Sequence, residues 1–335
     1  MQHRDDLLAH RFRPDDAWAQ LPADWSWGDV AAVAVDAQDR VYVLNRGQYP
    51  MGPEHAIAVF APDGTLLRTF GDGLFRFAHG IEVGPDGAVY TADAGNHVVR
   101  KFDADGKLVM TIGTVDVPAA TGYQGDDYRL IQPGGGPFNR PTRCALAPNG
   151  DLFVSDGYGN ARVHHFAPDG TLLASWGEPG DGPGQFNLVH SVWAHTDGRL
   201  FVCDRENSRI QVFSPAGEVL AIWTDVVRPQ DLCIDAHGNV YIEELGERCG
   251  FASFMPRPLG QNRPARVSVF DLEGRLLARL GTDEPCAPGS FFSPHGVCVD
   301  SHGNLYVGEV VYSAGGKTGM VPATCHTLQK LVREG

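Results

Sequence analysis

Along most of the chain, short runs alternate apolar and polar residues, and each run stops at a glycine-containing turn. The first copy runs Val33-Ala34-Val35, a turn, then Val41-Tyr42-Val43-Leu44-Asn45. It continues through Ile57-Ala58-Val59-Phe60 and the turn Pro62-Asp63-Gly64, and closes at Phe70-Gly71. Period-two alternation between such turns predicts four antiparallel strands. The third and fourth runs return at Val98–Phe102 with Leu108–Ile112 and at Arg162–Phe166 with Leu172–Trp176. They appear again at Ile210–Phe213 with Val219–Trp223 and at Val267–Phe270 with Leu276–Leu280. A four-stranded unit recurring every roughly 40–65 residues predicts an all-β, six-bladed β-propeller. The sixth copy holds only three strands, near Val297–Asp300, Leu305–Glu309 and Thr327–Val332. A segment within 8–20 is expected to supply the fourth, closing the ring and covering a sheet edge. The chain 1–335 then reads as one propeller, with 1–27 completing the last blade and Trp18, Leu21, Trp25 and Trp27 as anchors.

Loop lengths give this scaffold two unlike faces. Turns such as Asp86-Gly87, Asn149-Gly150, Asp105-Gly106 and Asp169-Gly170 are short and share one face. The connections 46–55, 114–140, 178–189, 246–264 and 311–325 are long and emerge on the other. Long loops on a rigid scaffold are where binding sits.

The residues opening each first strand lie on that elaborated face: Ala31, His79, Thr142, His190, Gln230 and His295. Histidine occupies every second copy. The first strand of a blade is the innermost, so these three imidazoles are expected about 120° apart around a six-bladed axis. Three converging imidazoles make a metal site with open positions, as in catalytic zinc centres. The sequence leaves the ion open among zinc, iron and manganese, because imidazole triads accept several divalent ions. The bland reading is a set of histidines hydrogen-bonding to water in a wet channel. The other ten histidines read as surface or turn residues, with His55 and His326 placed in elaborated-face loops.

An acid ends the second strand in five copies, as Asp93, Asp156, Asp204, Glu244 and Glu309, with Asn45 in the first. Recurrence assigns it to the fold, in the following turn. Three residues just beyond break the pattern: Arg46, Tyr158 and Arg205. An arginine offers a fork to a carboxylate, and a tyrosine beside cations and a metal can serve as a general base. Loop salt bridges and aromatic packing are the alternative roles.

Charge narrows the partners. With 27 basic and 41 acidic residues the net charge is −14, which disfavours nucleic acid, whose affinity comes from Lys and Arg displacing counterions. No apolar run approaches the length of a membrane span, and the charged start Met1-Gln2-His3-Arg4-Asp5-Asp6 leads into no signal-like h-region. Seven cysteines without CxxC spacing fit a cytoplasmic protein. Cys144, Cys203, Cys233 and Cys298 fall in strands, while Cys249, Cys286 and Cys325 fall in loops, where a pair such as Cys249 with Cys325 is open.

The repeat is similar to the NHL repeat, and residues 28–335 resemble the catalytic propeller of peptidyl-α-hydroxyglycine α-amidating lyases. The resemblance is carried by Val154-Ser155-Asp156-Gly157-Tyr158-Gly159-Asn160-Ala161-Arg162, Asp204-Arg205-Glu206-Asn207-Ser208-Arg209-Ile210-Gln211 and Ser293-Pro294-His295-Gly296. It implies a zinc held by His79, His190 and His295, Tyr158 as catalytic base, and Arg46 and Arg205 as active-site arginines. The implied reaction cleaves the N–Cα bond of a carbinolamide, giving an amide and glyoxylate. Two departures matter. Ser293 stands where the family has methionine, and Gly296 where it has an aspartate serving a structural calcium, so the calcium does not carry over. The copper monooxygenase half of the bifunctional animal proteins is absent from this sequence, which turns the expectation from peptides to a small metal-chelating substrate such as an α-hydroxy-amide or ureido acid. Two other readings remain: a lactonase-like metal hydrolase, and a non-enzymatic NHL scaffold. Six-bladed lactonases hold calcium through carboxylates and asparagine, so the histidines count against the first.

Overall fold

The computed structural model describes residues 11–125, 130–132, 136–247 and 262–334. Six four-stranded antiparallel sheets form the blades of a β-propeller. The first contains Asp29–Val35, Val41–Gly47, Ile57–Phe60 and Leu66–Phe70, and the second Ala78–Val83, Val89–Asp93, Val98–Phe102 and Leu108–Ile112. The third contains Pro141–Leu146, Leu152–Asp156, Arg162–Phe166 and Leu172–Trp176, and the fourth Val189–Ala194, Leu200–Asp204, Arg209–Phe213 and Val219–Trp223. The fifth contains Pro229–Ile234, Val240–Glu244, Arg266–Phe270 and Leu276–Leu280. In the sixth, Pro294–Val299, Leu305–Glu309 and Leu328–Glu334 are joined by Arg11–Asp15, which pairs antiparallel with Leu328–Glu334.

Burial follows strand position. Second strands such as Leu152–Asp156 are buried at every residue, while the fourth strand Leu172–Trp176 is exposed along most of its length. A strand covered on both faces reads as a nearly continuous apolar run, and an outer strand tolerates polar residues.

The chain divides into two compact units, 1–75 with 232–245 and 264–335, and 76–231 with 246–263. In the second unit, the inner strand Pro141–Leu146 packs against both Ala78–Val83 and Val189–Ala194. Its core holds Val163, Phe186, Val192, Val202 and Phe213. Each such side chain contributes about 1.5–3 kcal/mol by leaving water. In the first unit, Trp18 is buried against Phe60 and Tyr306 at ring distances of 5.5 and 4.9 Å, and its Nε1–H donates to the Pro62 carbonyl at 2.9 Å. Gly64, with φ +85°, makes that seat: a Cβ there would stand 1.7 Å from the Trp18 carbonyl oxygen.

Three expectations change. Cys325 is bonded to Cys286, not to Cys249, which lies outside the described residues. The partner was set by the packing of Cys286 with Phe292, Val311, Val321 and Cys325, which the sequence separation does not reveal. Segment 311–325, read as a loop, holds a short helix Val311–Ala314, with Val311 buried in that same cluster. His164 is not a surface residue. It is fully buried on a third strand, Nδ1 2.7 Å from Ser175 Oγ and Nε2 3.3 Å from Asp156. No helix among the described residues is long and apolar enough to cross a membrane.

Candidate metal and active site

Five of the first strands open on an irregularity. The pairing register slips between Val30 and Ala32, Ala78 and Gly80, Pro141 and Arg143, Val189 and Ser191, and Pro294 and Gly296. The residue skipped is Ala31, His79, Thr142, His190 or His295. A bulged residue leaves the ladder and its side chain is re-aimed. The bulge belongs to the fold, and histidine uses it in alternate blades.

The blades between explain the alternation. His79 Nδ1 lies 2.7 Å from the Thr142 carbonyl, His190 Nδ1 2.7 Å from that of Gln230, and His295 Nδ1 2.7 Å from that of Ala31. A carbonyl only accepts, so Nδ1 carries the proton in all three, and Nε2 of each neutral ring keeps its lone pair. One blade supplies an imidazole, and the next supplies the carbonyl that fixes its tautomer and rotation. Metal-binding histidines are oriented by such a bond to the other ring nitrogen.

In the second unit the structure gathers four of the predicted residues. Tyr158 OH stands 3.2 Å from His79 Nε2 and 3.2 Å from His190 Nε2, and Arg205 Nη1 lies 3.5 Å from the same oxygen. The His79 and His190 rings are 4.8 Å apart. All four residues are buried. Burial works to depress the Arg205 guanidinium, but the Glu206 charge and the Tyr158 hydroxyl raise it above its ordinary value. In the first unit Arg46 Nη2 lies 3.4 Å from His295 Nε2. Asp29, raised by burial and lowered in part by the Arg46 charge, accepts the Ser313 backbone N–H and hydroxyl.

Several participants escaped the sequence reading. Glu206, fully buried, receives Arg205 Nε at 2.8 Å and Arg228 Nη2 at 2.9 Å. Gln230 Oε1 accepts from Arg205 at 3.3 Å, so one residue steadies both His190 and Arg205. A second series sits two residues before each opening position, as Asp29, Phe77, Arg140, Leu188, Arg228 and Ser293. Phe77 and Leu188 pack with Tyr158, and the Arg140 guanidinium lies over the Tyr158 ring at 5.4 Å. The same template that located the histidines, read two places earlier, carries this signal.

The recurring acids do more than serve the following turn. Asp93 accepts the N–H groups of Gly95 and Asn96 beyond it, and those of Arg76 and Phe77 in the loop leading into its own first strand. Asp156 holds Asn139, Asp204 holds Asn187, and Glu309 holds Phe292 and Ser293 in the same way. These carboxylates anchor the backbone just before the opening residues. His326 is one of their partners, with Nε2 3.1 Å from Glu309. His55 lies against Trp25, ring centroids 4.2 Å apart, in the wall of a cavity of about 780 Å³ in the first unit. That cavity is lined by Asn45 and Gly47 but not by Arg46 between them.

A family model described as "NHL repeat" matches residues 75–102 and 186–213, the stretches containing His79 and His190. A Caenorhabditis elegans protein named "Probable peptidyl-alpha-hydroxyglycine alpha-amidating lyase" is 35% identical over 162 residues, 47% of this chain and 43% of that protein. "Peptidyl-alpha-hydroxyglycine alpha-amidating lyase 1" of Drosophila melanogaster is 27% identical over 334 residues, 84% of this chain and 55% of that protein. The chain spans between 20% and 60% of the length of curated relatives it matches. A gluconolactonase from Xanthomonas campestris superposes with a TM-score of 0.58 at 16% identity, covering 98% of this chain and 97% of that one. At that identity the likeness shows the fold alone. The chain is a six-bladed propeller with NHL repeats at 75–102 and 186–213, and it resembles the amidating lyases.

Proposed function

We propose that this protein is a metal-dependent lyase that cleaves the N–C bond of an α-hydroxylated N-acyl-glycine-like small molecule, a carbinolamide or ureido acid. The observation carrying the proposal is the shared lock on three imidazoles: each Nδ1 is tied to a backbone carbonyl, and each Nε2 is turned toward a proposed catalytic group, Tyr158 for His79 and His190 and Arg46 for His295. In the second unit the His79 and His190 rings stand 4.8 Å apart. A neutral imidazole with its other nitrogen bonded to a carbonyl is a fitting ligand for zinc, and iron or manganese would also suit it. His79, His190 and His295 would hold the ion. When bound, it supplies Lewis-acid polarisation of a substrate oxygen. Calcium is not part of the proposal, since Gly296 offers no carboxylate.

The chain's own groups account for the proton and the charge. Tyr158 takes the proton of the substrate hydroxyl. As the C–O bond becomes a carbonyl, the N–Cα bond breaks, and the leaving amide nitrogen receives the proton back. The products are an amide and a glyoxylate-type acid. Arg46 and Arg205 bind the carboxylate, and Glu206 with Gln230 keeps Arg205 beside Tyr158. The relatives named lyases support this reading.

The test is direct. Protein purified without added ions should carry about one equivalent of metal, lost in His190→Ala. It should release glyoxylate from α-hydroxyhippurate, and Tyr158→Phe should slow that release about 10²–10⁴-fold. A metal-free protein with no glyoxylate release points instead to a scaffold, and unchanged activity in Tyr158→Phe removes the tyrosine from the chemistry. The cytoplasmic expectation rests on the number and spacing of the cysteines. The Cys286–Cys325 bond weighs against it, because such bonds persist in oxidising compartments.

A further inference from the structure

Beside Tyr158 stands a cation that the proposed reaction does not use. Arg140 sits two residues before the opening residue Thr142 with φ +65°, in the left-handed region that few side chains occupy without support. The support is present. Asp156 accepts the preceding Asn139 N–H with both oxygens at 3.0 Å, and the Arg140 N–H donates to His97 Nδ1 at 3.1 Å. The half-buried guanidinium is thereby held over the Tyr158 ring, with Nη1 3.5 Å from Tyr123 OH.

Its charge distinguishes it from the ion-paired arginines. Arg205 and Arg228 share Glu206, Arg209 has Asp204, Arg100 has Asp93 and Arg143 has Asp231. Among the described residues Arg140 has no carboxylate partner. A guanidinium stays protonated in proteins, and withdrawing it part-way from water without a counter-charge costs free energy. In a chain of net charge −14, such a cation held over the ring of the proposed base marks where an anion is received.

We infer that Arg140 receives a second anionic group of the substrate, borne on its acyl side. The substrate class is then an α-hydroxyglycine derivative whose acyl part ends in a carboxylate. This rests on the lyase reading, in which Arg46 and Arg205, both buried, take the glycine carboxylate. Arg140 is more exposed than either and comes from the long loop 114–140, so it meets the end of the substrate farther from the reacting carbon. No bond is made or broken at Arg140; it sets specificity.

The experiment compares glyoxylate release from α-hydroxyhippurate, whose acyl part is uncharged, with release from N-succinyl-α-hydroxyglycine. The unmodified protein should favour the succinyl substrate about tenfold in kcat/KM, the effect of one charge-assisted pair at a half-exposed site. Arg140→Gln should bring that ratio close to one, Arg140→Lys should restore part of it, and Arg140→Glu should reverse it. A ratio unmoved in all three variants overturns the inference. Equal losses on both substrates do so as well, since Arg140 would then serve the carboxylate they share. Release from neither substrate by the unmodified protein overturns the lyase reading itself, and this inference with it.

Discussion

Two sets of buried polar residues recur through the blades, and they behave oppositely. At the ends of the second strands, the carboxylates are satisfied from within their own blade. Asp93 takes four backbone N–H groups and Arg100, and Asp204 takes Asn187, Asn207, Arg209 and Gln211. At the openings of the first strands, each imidazole is satisfied on one nitrogen by the neighbouring blade and presents the other to Tyr158 or Arg46. The first set is the same chemistry in five blades; the second changes from blade to blade. A buried polar group whose partners are all local serves folding. One held by half its valence and aimed at residues distant in sequence serves chemistry, because nothing in folding requires that second half.

The sharpest way to break this contrast is to delete one member of each set. Asp93→Ala removes the ion pair of the buried Arg100 and the acceptor of four N–H groups, and should cost about 3–5 kcal/mol of unfolding free energy. His79→Ala should cost only about 1–2 kcal/mol, with the loss falling on metal content instead. Urea unfolding of both variants measures this, and equal costs would erase the distinction. Next in size is the Cys286–Cys325 bond, which closes a loop of 39 residues around the segment bearing Glu309 and His295. Chain-entropy reasoning gives about 4 kcal/mol at most for a loop of that length. Cys286→Ser with Cys325→Ser should lower the unfolding midpoint while leaving metal content at one equivalent. Loss of metal in that variant would tie the bond to the site.

The smallest effect is in pH. Burial opposes the charged form of His326, but its hydrogen bond to Glu309 and that carboxylate's charge raise its pKa above the ordinary 6.5. A raised folded-state value means the contribution is fully present below pH 6.5 and is lost as pH rises through the raised value. The unfolding midpoint should therefore fall by more between pH 6 and pH 8 in the unmodified protein than in His326→Gln. Parallel curves would show that the His326–Glu309 contact contributes no pH-dependent stability.

The histidine alternation was legible because it is a sequence fact laid on a repeat. Once the strands were counted, His79, His190 and His295 had to occupy equivalent positions, and Arg46, Tyr158 and Arg205 stood out as departures from the same template. Period-two alternation and glycine turns fixed the six blades for a similar reason: strand pairing within a blade is local, so its signal is written within about 40–65 residues. What the template could not supply was the partner of any side chain that reaches beyond its blade. The carbonyls of Thr142, Gln230 and Ala31 carry no side-chain signature, yet they decide which nitrogen each imidazole presents. Glu206 became the shared anchor of Arg205 and Arg228 only when two loops 22 residues apart met, and Cys286 found Cys325 across 39 residues. Sequence determined where the blades are and which positions break their pattern. The tertiary structure decided orientation and pairing, because those depend on the distances between segments that no local periodicity records.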